Sequence, residues 1–211
     1  MLDLSTVVLF LAAALALLLV PGPAVVFIVA RSVHQGRRAG LVSAIGVGTG
    51  SLVHVTGATL GLSALLLSSA TAFATVKFAG AAYLVWLGVR TLLDWGGNIE
   101  AMMPVPRSLA QIWRQGVVVN VLNPKTAMFF LAFLPQFVDP SRGAVAAQTL
   151  LLGGLFVITG ICTDSLYAIV AGTAGGWMRA NPRFLRVQRA VTGAVFIGLG
   201  VTTAAVGRTD G

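Results

Sequence analysis

Charge is the scarcest thing in this chain. Of 211 residues, 14 are Lys or Arg and 6 are Asp or Glu, 9% in all, where an ordinary soluble domain carries about 25%. So few charges cannot cover a water-exposed surface of this size. An ordinary cytoplasmic enzyme, a disordered chain and a nucleic-acid-binding domain are therefore excluded. A single cysteine, Cys162, excludes an intramolecular disulfide, a Cys-pair redox relay and a Cys-based zinc site. The two histidines, His34 and His54, lie on different segments, which is a poor ligand set for a metal. GxSxG, HExxH and Walker patterns are absent from the sequence. Neither a hydrolase nor ATP-driven transport by this chain alone is supported, and no metal or other cofactor is called for.

What is abundant is apolar surface. Hydrophobic residues make up 57% of the chain, and the mean hydropathy is +0.92. Such a protein has lipid as most of its solvent. Leu4 to Ala30 carries no charge and is longer than the roughly 7–15 residues of a signal-peptide core. A second apolar run from Ala39 holds a helix to about Leu67, followed by a polar turn at Ser68–Thr71. A third helix fits Ala72 to Leu93. Asp94 to Arg114 is a surface linker, with Gly96, Gly97, Pro104 and Pro106 and an amphipathic piece at Arg107–Arg114. The fourth run, Gly116 to Val138, is interrupted at Asn123-Pro124. A turn at Asp139–Gly143 precedes the fifth, Ala144 to Ala171, and the basic stretch Arg179–Arg189 precedes the sixth, Ala190 to Val206. About 20 residues cross a bilayer. The expectation is an all-α membrane protein with six transmembrane helices in a single domain over 1–211. Its first repeat is 4–93, its cytoplasmic linker 94–114 and its second repeat 115–206.

Arginines set the orientation. The loops after spans one, three and five hold most of them, including Arg37, Arg38, Arg107, Arg114, Arg183 and Arg186, whereas Arg142 and Arg208 lie on the other side. The positive-inside rule places the arginine-rich loops in the cytoplasm and both termini outside.

The halves resemble each other. Pro21-Gly22-Pro23 breaks the first span and Asn123-Pro124-Lys125 breaks the fourth, and a Gly/Arg turn follows each. Three spans per half is an odd number, so the halves are inverted relative to each other. Matching breaks in inverted halves are the sequence pointer to a secondary transporter's binding site.

At these residues the chain resembles the lysine exporter (LysE/RhtB) family of amino-acid exporters. The likeness rests on Pro21-Gly22-Pro23, the Gly36/Gly40/Gly46/Gly50 ladder, and Lys77–Leu84 with Trp86-Leu87-Gly88. In the second half it rests on Asn120, Asn123-Pro124-Lys125, Phe133–Phe137, and Asp164 with Tyr167. The resemblance implies a bacterial inner-membrane protein that exports amino acids or related small metabolites. A homodimer is compatible with its small-residue faces.

Individual residues point the same way. Asp164 is the one acid deep in a span. An ionised carboxylate at that depth costs about 2.5–3.5 kcal/mol on insertion scales, so it faces a cavity or a partner, or stays protonated. That is the behaviour proton antiport needs. A structural ion pair with Lys125 or Lys77 is the blander account. Lys125 follows the second break, where the restarting helix presents free N–H groups and its positive dipole end. With them it makes a site for a substrate carboxylate. Pro21, Gly22 and Pro23 free backbone carbonyls able to accept a substrate ammonium group. Asn120, Asn123 and Pro124 complete the expected substrate-binding set. His54 is a candidate proton-relay partner of Asp164, or else a neutral imidazole bonded between helices. The competing readings are a passive small-solute channel, which needs no titratable residue, and a metal-ion exporter, which needs more ligands.

Overall fold

The computed structural model describes residues 2–68 and 106–180, with isolated helical positions between 75 and 93 and between 190 and 204. Most of the expected third and sixth spans, with Lys77 and Arg189, lies outside the described residues. So does most of the 94–114 linker.

Every regular element among the described residues is helical. Helix α1 is Leu4–Leu18. Its backbone ladder must stop near Pro21 and Pro23, because neither proline has an N–H to donate to the carbonyl four residues earlier. The chain turns through Leu19–Gly22 and restarts as α2, Pro23–Ser68. A straight helix of 46 residues would be about 69 Å long, twice the roughly 30 Å hydrocarbon core of a bilayer. It is not straight. Gly36 has φ 83° and ψ 172°, a conformation glycine adopts without steric cost, and the helix folds back there. A Cβ on Gly40 would overlap the Ser32 hydroxyl, which shows how closely the two arms approach. Ala24 and Ile28 of the first arm share one buried cluster with Ala44 and Val47 of the second. The first arm therefore completes a broken helix begun by α1, and the second arm is a separate, return helix.

The second half of the described chain repeats the device. Ser108 caps α3, Leu109–Val121, through a reciprocal capping box with Gln111. The amphipathic piece expected at Arg107–Arg114 is thus the first part of the same helix that enters the apolar region. After the break at Leu122-Asn123, Pro124 opens the short helix α4, Pro124–Met128, where a missing N–H is harmless. A π turn at Phe129–Phe133 and a 3₁₀ turn at Leu134–Phe137 continue it. Pro135 forces this irregularity, since it cannot donate to Leu131. The Leu134 N–H reaches back to Phe129 instead, and the Gln136 side chain donates to the Ala132 carbonyl at 2.9 Å. The bend between Leu109–Val121 and Pro124–Phe137 is 47°. Helix α5, Val145–Ala180, closes the described chain.

By length and composition, Val145–Thr173 and the stretch Pro23–Gly61, which the fold-back at Gly36 divides, are apolar enough to cross a membrane, and the bent pair Leu109–Val121 with Pro124–Phe137 makes a third candidate. Their outward faces are apolar. Leu9, Leu60 and Ile158 are each more than 60% exposed, an arrangement suited to lipid rather than water. The interior is aromatic. Phe129 stacks on Phe156 at 4.7 Å and on Phe133 at 5.2 Å, and Phe10 packs edge-on to Phe137 at 5.3 Å. These rings wedge the restart of the second broken helix between α1 and α5.

Glycines let the return arm of α2 approach its neighbours. A Cβ on Gly46 would overlap the Trp113 carbonyl, and one on Gly50 would lie 2.7 Å from the Val117 carbonyl, so this edge meets the α3 backbone directly. Gly48 instead makes room for the side chain of Ile161 of α5. Gly57 and Gly61, the other pair with helix-packing spacing, have no heavy atom within 4 Å of a built Cβ among the described residues.

Two polar clamps hold the ends. At one, Arg31 donates to Gln35 at 2.7 Å and to Gln115 at 2.8 Å, and Gln35 exchanges bonds with the Arg107 backbone. Arg31, the first cation after the uncharged run Leu4–Ala30, is a buried member of α2. At the other, Arg142 pairs with Asp3 and, at 3.0 Å, with Asp139.

Candidate functional site: two helix breaks facing one cleft

The two breaks meet. Leu19 would bond to residue 23 in a continuous helix, but that residue is proline, so its carbonyl needs another donor. Tyr167 of α5 supplies one, its hydroxyl donating to Leu19 at 2.7 Å. The next carbonyl, Val20, accepts from the Lys125 ammonium at 2.5 Å. Adjacent carbonyls of the first break are thus held by side chains from two different elements of the second half. Gly22 makes the second contact possible. A Cβ there would sit 3.1 Å from Cδ of Lys125, tighter than ordinary packing.

The second break is ordered by asparagines. Asn123 caps α4, its side chain accepting from the Lys125 N–H at 3.1 Å. Asn120, in the last turn of α3, is 1% exposed and uses both ends of its amide. Nδ2 donates to the Val47 carbonyl at 2.9 Å and to Ser51 Oγ at 2.8 Å. Oδ1 accepts from Thr126 Oγ1 at 3.0 Å and from Asn123 Nδ2 at 3.4 Å. These bonds tie α2, α3 and α4 around the break. A buried polar network so fully paired fixes one arrangement of the helices.

Between the breaks lies a constricted cleft of about 30 Å³, open on part of its boundary. Its polar wall is Ser51, Asn120, Asn123, Lys125 and Thr126. Leu18, Val25, Val47, Phe156 and Val157 are apolar, and Asp164 joins from α5. Lys125 and Asp164 are 6% and 5% exposed. The Asp164 carboxylate makes no hydrogen bond among the described residues, and the charge it feels most is that of Lys125. One buried cation and one buried acid thus share a space with amide and hydroxyl groups, which is the inventory needed to hold a zwitterion.

Most of the expected residues converge here. Gly22, Asn120, Asn123, Lys125 and Asp164 line the cleft, while Pro21, Pro23 and Pro124 shape the breaks without lining it. His54 stands apart. Its Nε2 lies 2.9 Å from the Asn120 carbonyl, so that nitrogen carries the proton, and its ring stacks on Phe130. It does not line the cleft. Thr126 and Ser51 escaped the reading of the sequence, and Tyr167 entered it only within the family likeness, with no role of its own. Thr126 follows Lys125 directly, Ser51 lies one residue beyond the Gly46/Gly50 edge that touches α3, and Tyr167 sits one helical turn after Asp164. For the first two, position beside a recognised feature was the available signal.

A family described as LysE type translocator matches residues 15–206. A protein of Vibrio cholerae named as an uncharacterized membrane protein is 32% identical over 206 residues, covering 96% of this chain and 98% of that protein. The uncharacterized membrane protein YrhP of Bacillus subtilis is 27% identical, over 89% of this chain and 92% of its own. The homoserine/homoserine lactone efflux protein of Salmonella typhimurium is 29% identical over 184 residues, 87% of this chain and 88% of that protein. No solved structure matches the chain.

Proposed function

We propose, from the premise that this chain belongs to the LysE type translocator family, that it exports small neutral amino acids by proton antiport. Membership makes it a membrane efflux transporter and not an enzyme. The substrate and the coupling ion are our reading. It rests on one observation above all: a buried lysine and a buried aspartate, carried by different helices, line the same cleft where two broken helices meet.

In this reading Lys125 and the N-terminal end of α4 take the substrate carboxylate. Asn123, Ser51 and Thr126, positioned by Asn120, keep hydrogen-bonding capacity for a short hydroxylated side chain, in keeping with the relative named for homoserine efflux. Among the described residues the cleft has no second acid for a basic side chain and no second cation for an acidic one. Asp164 exchanges the coupling proton. The frame is six spans in two inverted repeats, with both termini outside and broken helices one and four at the centre.

The test is counterflow of labelled homoserine and a panel of other amino acids in proteoliposomes, with and without a pH gradient. Lys125→Ala loses exchange while still inserting. Asp164→Asn retains exchange but no longer accumulates substrate against its gradient. Uphill transport by Asp164→Asn in response to pH removes Asp164 from coupling, and full exchange by Lys125→Ala removes Lys125 from the site.

A further inference from the structure

The contact between Lys125 and Val20 has a meaning beyond bracing. Lys125, which lines the cleft together with a carboxylate and several amides, sets its ammonium 2.5 Å from the carbonyl of Val20, a buried residue just behind that lining. We propose that the Val20 carbonyl is the ammonium subsite of the transported amino acid, and that in the empty protein Lys125 occupies it as a tethered stand-in for the substrate. The inference rests on the amino-acid reading above and adds a mechanism of selection to it.

The chemistry is an exchange of partners. An amino acid brings an ammonium and a carboxylate together. Its ammonium takes the Val20 carbonyl, and the Lys125 ammonium it displaces turns to the substrate carboxylate. No charge is left without a partner, and burying one unpaired would be costly. An amine without a carboxylate displaces Lys125 from Val20 but brings it no anion beyond Asp164, whose charge it already shares. A carboxylate without an ammonium draws Lys125 away and leaves the carbonyl empty. Only a molecule with both groups completes the exchange.

Tethering makes the stand-in effective. A side chain held beside its acceptor acts at an effective concentration in the millimolar range or above, so a dilute free amine cannot compete with it. If Lys125 occupies Val20 about nine-tenths of the time, the apparent affinity for a simple amine falls about tenfold. The first break stays in place during the exchange because Tyr167 still holds the neighbouring Leu19 carbonyl.

The experiment measures binding to the full chain in lipid nanodiscs by calorimetry. The probes are homoserine, 3-amino-1-propanol (homoserine without its carboxylate) and 4-hydroxybutanoate (homoserine without its ammonium). The wild-type chain binds homoserine and binds both partial probes at least about tenfold more weakly. Lys125→Met loses homoserine binding but gains about tenfold for 3-amino-1-propanol, because the carbonyl is vacated. Gly22→Ala keeps the charge while crowding the lysine stem, and it shifts 3-amino-1-propanol in the same direction by a smaller factor. Should Lys125→Met fail to fold, Gly22→Ala decides the matter. Loss of homoserine binding in Lys125→Met without any gain for the amine overturns the stand-in and leaves the carboxylate anchor intact. Unchanged amine binding in Gly22→Ala also overturns the stand-in. Homoserine binding retained by Lys125→Met overturns the carboxylate anchor itself.

Discussion

Asn120→Ala removes the hub of the second break. Two bonds from its Nδ2 cross to α2, at Val47 and Ser51, and its Oδ1 receives the Thr126 hydroxyl. Interhelical side-chain bonds inside membranes are worth about 0.6 kcal/mol each and at most about 1.7. Two of them give roughly 1–3 kcal/mol. The buried Thr126 hydroxyl, left without its acceptor, adds about 1 kcal/mol. The expected destabilisation is therefore about 2–4 kcal/mol. The His54 contact survives, because it goes to the backbone carbonyl of residue 120 rather than to the side chain. Reversible unfolding of the purified protein in mixed micelles, titrated with a denaturing detergent, measures the difference. Ser51→Ala alone and the double variant complete a thermodynamic cycle. Its coupling energy should fall between about 0.5 and 1.7 kcal/mol. A loss below about 0.5 kcal/mol in Asn120→Ala, with no coupling to Ser51, would refute the claim that this network fixes the helices around the cleft.

Three further expectations use the same structure. Gly46→Ala forces α2 away from the Trp113 carbonyl and should cost about 1–3 kcal/mol, whereas Gly57→Ala meets no neighbour and should be neutral or gain up to about 1 kcal/mol of helix propensity; equal effects in the same unfolding assay would show that α2 and α3 do not meet as described. Gly36→Ala places a Cβ at φ 83° and ψ 172° and should cost about 1–3 kcal/mol; an unchanged unfolding midpoint would mean that the fold-back does not need a positive-φ residue. At the Arg142 clamp, the two Ser141 donors, its hydroxyl first, hold the Asp139 carboxyl below its ordinary value of 3.8, with Arg142 adding to the effect. A lowered carboxyl contributes stability above its ordinary pKa and loses it as pH falls through the lowered value. Ser141 amide shifts should therefore titrate with a midpoint below 3.8, and a midpoint at or above that value would contradict the Asp139–Ser141 bonds.

How far the sequence reaches depends on distance along the chain. Breaks at Pro21–Pro23 and Asn123-Pro124 are local: a proline without an N–H interrupts a helix whatever surrounds it. The return at Gly36 was legible for a similar reason, as a glycine among arginines at the end of an apolar run. That Asp164 and Lys125 sit far from the ends of their apolar runs was also legible, and in the fold both are buried. What could not be read was pairing. The bonds from Lys125 to Val20 and from Tyr167 to Leu19 span 105 and 148 residues, and no local pattern encodes which freed carbonyl meets which donor. Arg31 shows the converse error of counting charge without structure. In the sequence it borders a basic loop, but in the fold its guanidinium is buried against Gln35 and Gln115. His54, an attractive relay partner on paper, is turned by its bond to the Asn120 backbone and does not line the cleft.

The crossing of bonds between the two breaks has a consequence for how the protein is made. A ribosome delivers the chain at about 5–20 residues per second. Val20 therefore precedes Lys125 by about 5–20 s, and Leu19 precedes Tyr167 by about 7–30 s. Through that interval the first broken helix is in place with two carbonyls whose eventual donors have not been synthesised. In lipid each unsatisfied carbonyl costs several kcal/mol, so the nascent segment must keep them near water, near the lipid headgroups or against the insertion machinery. The early half is then an unfinished surface awaiting its complement. Delivery of the late half from a separate transcript should rescue folding only while the early half remains in that guarded position.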